Sequence, residues 1–205
     1  MKAITEYLST KVAKPSVIKA TSKAIYQIVK DELDRLGYDA DLNHVDVSEV
    51  TNMHHLFSCG YGGNLGPNYK ILNPDISGWD VSNVRDMHNM FFCCKNFNCD
   101  LSQWDVSNVT GMRYMFYDCE NFNCDLSQWN VSNVKDMECM FQGCKNFNCG
   151  LNSWDVSNVK NMGAMFYDCE NFNKDLSRWN ITKARCTNMF VNCPIRKSYK
   201  PKIKK

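Results

Sequence analysis

No stretch of this sequence stays apolar long enough to span a membrane, which excludes a transmembrane helix. Residues 1–9 set Lys2, Thr5 and Glu6 among their apolar neighbours and lack the apolar run and cleavage site of a secretory signal. The expectation is a soluble chain in the cytoplasm, with a surface, virion or host-cell location left open. Histidine is scarce, limited to His44, His54, His55 and His88. His54 and His55 lie near Cys59, but no set of acid, base and nucleophile stands out, so neither an enzyme nor a cofactor is expected. An excess of one charge is lacking too, the formal net charge being +2.

That near-neutrality hides a division. Residues 1–42 carry 7 basic and 6 acidic side chains, residues 43–193 carry 11 and 16, and residues 194–205 carry 6 and none. A mildly acidic body ends in a basic tail (Arg196, Lys197, Lys200, Lys202, Lys204, Lys205). Two readings of the tail stay open: a solvated end, or an attractor of nucleic acid and other polyanions. Twelve cysteines in a chain without an export signal point to reduced thiols, not to a disulfide framework.

What the sequence does have is a period. Trp79, Trp104, Trp129, Trp154 and Trp179 recur every 25 residues, and Val81, Val106, Val131, Val156 and Ile181 follow them. Met87, Met112, Met137 and Met162 keep the step, as do Met90, Met115, Met140 and Met165, then Phe91, Phe116, Phe141 and Phe166. The last unit is one residue shorter, which puts its phenylalanine at Phe190. A degenerate first copy starts at Leu42 and is followed by an insertion over residues 60–74, giving six units over 42–193. One such unit is too small to bury its own apolar face, so copies must stack.

The spacing of Val109, Met112, Met115 and Phe116 predicts a short helix in each unit, with Ser107 or Asn108 as its cap. The segment before it predicts a short parallel strand. Leu101 and Trp104 cannot both face inward on one regular strand, so a bend near Ser102–Gln103 is needed. Residues 16–36 read as an amphipathic helix capped by Ser16 and stopped at Gly37, covering the first unit as part of a helical cap over 1–41. The expected fold is an α/β solenoid of about six strand–helix rungs, followed by the tail 194–205.

The run Phe-Asn-x-Asp-Leu-Ser-x-Trp-Asp-Val-Ser-Asn-Val-x-x-Met-x-x-Met-Phe-x-x-Cys, as in Phe97 to Cys119, resembles the BspA-type, leucine-rich-repeat-like units of bacterial surface proteins. The resemblance covers about three quarters of the chain. It implies a right-handed, leucine-rich-repeat-like winding and a role in adhesion or protein–protein binding, without a catalytic motif.

Several columns carry potential chemistry. Cys94, Cys119, Cys144, Cys169 and Cys193 form one, and Cys99, Cys124 and Cys149 another. They follow the repeat instead of closing a zinc tetrad, so filling of tight turns is preferred to metal binding. The tryptophans read as a buried ladder or as a stacking platform for sugars or bases. Asp75, Asp100, Asp125 and Asp175 suit turn hydrogen bonds better than calcium.

The function expected is a non-enzymatic scaffold, a monomer, that binds an unidentified protein. The alternative is a carbohydrate- or polyanion-binding module using the tryptophans or the tail. The expected contact residues are Gln103, Asp105, Gln128, Asn130, Ser153, Asp155, Arg178 and Asn180, flanking the tryptophans, with Gly78 and Asp80 in the first full copy. The loop 61–70 is a second candidate.

Overall fold

The computed structural model describes residues 16–59, 65 and 71–202. Apart from Leu65, the loop 61–70 lies outside them, as do residues 1–15 and 203–205. The expected strand–helix rungs do not form. Among the described residues there is one α-helix, α1 (Ile25–Leu36), and one two-stranded parallel sheet of β1 (Ile18–Lys19) and β2 (Val45–Asp46). A 3-10 turn lies at Lys197–Tyr199. The 25-residue units consist of turns.

One unit shows how. The N–H of Trp104 donates to the Leu101 carbonyl at 3.1 Å, Val109 to Val106 at 2.9 Å, and Met115 to Met112 at 3.2 Å. Cys119 to Phe116 and Phe122 to Cys119 follow, both at 3.1 Å. Each bond closes a four-residue turn whose first and last residues are apolar and buried, while the middle pair is largely polar. Spacing by three therefore arises here from successive turns. It is the same spacing that one face of a helix requires, and this coincidence misled the sequence reading. The turn at Ser102–Gln103 buries both Leu101 and Trp104, as the odd spacing demanded.

Between units the backbone forms a second set of bonds. Met112, Tyr114, Phe116 and Asp118 donate their N–H groups to the carbonyls of Asp136, Glu138, Met140 and Gln142 in the next unit, at 2.8–3.0 Å. The preceding unit does the same from Met87, Asn89, Phe91 and Cys93. Four files of aligned peptides thus run along the stack, all N–H groups pointing toward its C-terminal end. Holding this alignment through a turn requires left-handed backbone at the third turn position. Tyr114, Cys139 and Ala164 have φ of 55°, 53° and 51°, and Asp118 and Asp168 have 53° and 55°. Parallel pairing along the repeats is limited to single-residue bridges such as Asp86 to Gly111 and Gly111 to Asp136.

Side-chain spacing rules out helical rungs independently. Phe57, Phe91, Phe116, Phe141, Phe166 and Phe190 stack with centroids 5.4–5.7 Å apart. Packed helices approach only to about 8–10 Å. Phe97, Phe122, Phe147 and Phe172 form a parallel column at 5.8–6.1 Å, touching the first at 4.0–4.3 Å. Offset aromatic pairs contribute about 0.5–1.5 kcal/mol each beyond the area they bury.

At the N-terminal end, β1 pairs in parallel with β2, Ile18 opposite Val45. The helix is shorter than expected: Thr21 accepts from Ala24 and Ile25, Ala24 occupies the cap position, and Ser16 plays no part. Ile25, Val29 and Leu33 are buried. Gly37, at φ 104°, ends the helix by donating to the Leu33 carbonyl at 2.9 Å.

One substitution separates turns from helices. In a helix Ala164→Gly costs about 1 kcal/mol. At a left-handed position it relieves the strain of a Cβ, worth about 1–2 kcal/mol, and the variant is expected to be equally or more stable in urea unfolding. A loss of a full kcal/mol would contradict the turn geometry.

Candidate binding surface

Nearly every residue repeated in all copies is engaged inside the stack. The indole N–H groups of Trp79, Trp104, Trp129, Trp154 and Trp179 donate to Leu42, Ile76, Leu101, Leu126 and Leu151 carbonyls of the preceding unit at 2.8–3.2 Å. The tryptophans are only 3–4% exposed, so the column offers no ring face for stacking a sugar or base.

The two cysteine columns hold neighbouring units together in opposite senses. Thiols of Cys94, Cys119, Cys144 and Cys169 donate to Phe57, Phe91, Phe116 and Phe141 carbonyls at 2.9–3.0 Å. Sulfurs of Cys99, Cys124 and Cys149 instead accept from the N–H groups of Ile76, Leu101 and Leu126 at 3.1–3.5 Å. None of the twelve cysteines is joined in a disulfide. Burial pushes the Cys124 thiol up to about 12 and those of Cys93 and Cys149 to about 11. It also raises Cys119, Cys144 and Cys169 well above 9.0.

Asparagines tie the units together at the surface. Asn98, Asn123 and Asn148 each donate a backbone N–H to the side-chain oxygen of the asparagine one unit earlier, at 2.8 Å. Asn108, expected as a helix cap, donates its side-chain amide to the Ser82 carbonyl at 2.8 Å. The acidic columns stabilise turns: Asp75, Asp100, Asp125 and Asp175 accept from the N–H groups of Ser77, Ser102, Ser127 and Ser177 at 2.8–3.0 Å. Those bonds hold all four carboxylates below the usual 3.8.

The contact residues expected from the sequence are all exposed and in register. Several also have local duties. Asp105, Asn130, Asp155 and Asn180 accept from the residue two further on. Gln103 and Gln128 bond the preceding serine, and Ser153 donates to the Ser127 carbonyl at 2.6 Å. Arg178 lines a cleft with Ser177, Trp179, Asn180, Thr182 and Lys202.

A second exposed face lies on other turns of the units. On the turns expected to be helical, Phe92 stacks on Tyr117 at 4.8 Å, and Tyr114 meets both rings edge-on at 5.6–6.3 Å. The Arg113 guanidinium lies over the Tyr114 ring at 4.8 Å and pairs with Glu138 at 2.9 Å. Glu138 also meets Arg185 at 3.1 Å, while Glu120 pairs with Lys95 and Lys145 at 2.5 and 3.4 Å. The aromatic rings are only partly buried. These positions change from copy to copy (Phe92, Tyr117, Gln142, Tyr167), a signal visible in the sequence but overlooked in a segment read as a helix.

The histidines separate. His44 meets the buried Glu32 at 2.7 Å. His54 is exposed on a turn, its carbonyl accepting from the Tyr26 hydroxyl at 2.5 Å. His88 accepts from the Arg113 N–H at 2.9 Å.

The family described as Mycoplasma protein of unknown function, DUF285, matches over residues 32–138, 64–179 and 124–200. No curated protein and no solved structure matches the chain.

The shifted groups set two pH limits. Carboxylates held below 3.8 in the folded state stabilise it above that value, so stability is expected to fall as pH drops through about 4. Thiols raised above 9.0 act oppositely: the unfolded chain releases protons first, and stability is expected to fall as pH rises beyond about 9. Urea unfolding against pH should show both limbs, with Cys124→Ala/Cys149→Ala flattening the alkaline one. An alkaline limb unchanged in that variant would contradict the assignment.

Proposed function

We propose that this chain, which belongs to the Mycoplasma repeat family of unknown function DUF285, is a scaffold that binds another protein through side chains projecting from its turns. One observation carries the reading. The side chains shared by the copies are buried or bonded within the stack, whereas varying ones such as Phe92, Arg113, Tyr114 and Tyr117 stay partly or fully exposed on its surface. Aromatic and arginine side chains on a preformed surface are what protein interfaces enrich at their energetic centres. The resemblance of Phe97 to Cys119 to BspA-type surface repeats supports the same class of role and extends it to adhesion. The exposed row from Gln103 to Asn180 is a second contact surface in this reading.

Photo-crosslinkers placed at Tyr117, Gln103 and Gln142 test it, using lysate of cells that carry the protein. A discrete protein adduct from Tyr117 is expected. Arg113→Ala should weaken it by about tenfold or more, the loss of an interface hot spot, while the thermal midpoint stays unchanged. Absence of adducts at all three positions would overturn the reading.

A further inference from the structure

The two ends of the stack differ. The first unit is covered: β1 pairs with β2, the Tyr26 hydroxyl caps the His54 carbonyl, and Ser22 accepts from the Thr51 N–H at 2.9 Å. Among the described residues only half of the last unit is covered. There the tail carries the asparagine ladder one step further, Arg196 N–H donating to Asn173 Oδ1 at 3.0 Å, and Leu176 N–H donates to the Tyr199 carbonyl at 2.8 Å. Ile195 is buried beneath it.

The other half, residues 184–193, is the end of all four peptide files. Met162, Ala164, Phe166 and Asp168 donate to Arg185, Thr187, Met189 and Val191 carbonyls at 2.8–3.0 Å. The equivalent N–H groups of the last unit, on Cys186, Asn188, Phe190 and Asn192, have no acceptor among the described residues. These donors recur at every second residue, the period at which an extended peptide presents carbonyls along one edge. Aligned peptides leave partial positive charge at their N–H end.

Two further observations concern the same place. Columns buried elsewhere are only partly buried here: Ala184, Cys186, Phe190 and Cys193 keep some exposure, whereas Val159, Met162, Phe166 and Cys169 are 0–1% exposed. From Leu176 to Lys202 the chain has seven basic side chains (Arg178, Lys183, Arg185, Arg196, Lys197, Lys200 and Lys202) and no acidic one. Of these, Arg185 is paired with Glu138, and Lys200 lies over the Phe190 ring at 5.2 Å.

We propose that this uncovered half of the last unit docks an extended acidic peptide segment of a partner protein. Its carbonyl or carboxylate oxygens accept from the four amides, its apolar side chains cover Cys186 and Phe190, and its acidic residues meet Arg178, Lys183, Arg196 and Lys197. This is strand addition to an open edge, biased by charge. A nucleic-acid backbone would satisfy the charges but has no aliphatic side chains to cover the apolar positions interleaved with the donors. The proposal rests on the scaffold reading and names its partner's chemistry.

The full chain is titrated with a dodecapeptide alternating Glu and Val, its Gln–Val counterpart, oligo-dT and phosphatidylserine vesicles, and amide exchange is followed by NMR. The Glu–Val peptide is expected to slow exchange at Cys186, Asn188, Phe190 and Asn192 by about tenfold or more. The Gln–Val peptide should do so far more weakly, and Arg178→Glu/Lys183→Glu should weaken Glu–Val binding by about tenfold. Unchanged exchange at those four amides under saturating Glu–Val peptide would overturn the proposal, as would stronger protection by oligo-dT or vesicles. If the adduct at Tyr117 persists in that event, the docking end alone fails and the scaffold reading stands. If the adduct is absent as well, both fail.

Discussion

The structure depends on one constraint: every second peptide in half of each unit aims its N–H along the stack at a carbonyl of the next unit. That requirement fixes the separation of units, because amide hydrogen bonds close only near 2.9 Å. Once the separation is fixed, equivalent side chains must lie over one another, which produces the phenylalanine columns at 5.4–5.7 Å. It also fixes the turns, since only a left-handed residue at the third position keeps the next peptide aligned. Helical rungs would have satisfied the same groups internally and held the columns too far apart.

The polar composition follows from the same constraint. A stack of turns leaves many backbone groups at the corners that no ladder reaches, and each buried one must find a partner. Tryptophan N–H groups and cysteine thiols serve carbonyls on the inside, cysteine sulfurs serve N–H groups, and asparagines do both at the surface. Tryptophan, cysteine and asparagine thus repeat where a unit bonds its neighbour, and aspartate repeats where a turn is closed within a unit. In these columns repetition marks structure. The proposed recognition surfaces, around Arg113, Tyr114 and Tyr117 and at the end of the stack, lie where the pattern varies or stops.

Much of the arrangement could be read from residue identities alone. The 25-residue step, the burial of the methionine and phenylalanine columns, and the bend needed between Leu101 and Trp104 all follow from spacing. Turn hydrogen bonds from Asp100 and Asp125 were also legible, since an aspartate two residues before a serine N–H is a recurrent turn device. The local structure of Val109 to Phe116 was not, because turns and helices both place apolar residues three apart. Left-handed backbone at Tyr114 or Ala164 carries no glycine or asparagine to announce it. For the candidate surface, the exposure of Gln103 and Asp105 was legible, whereas the aromatic group around Tyr117 was hidden because its turns share the spacing of a helix.

Scalar couplings across hydrogen bonds, measured by NMR on isotope-labelled protein, test the central constraint most directly. The arrangement described here requires couplings from the amide nitrogens of Met112, Tyr114 and Phe116 to the carbonyl carbons of Asp136, Glu138 and Met140. Couplings confined within one unit, such as Phe116 to Met112 in a helical step, would contradict it.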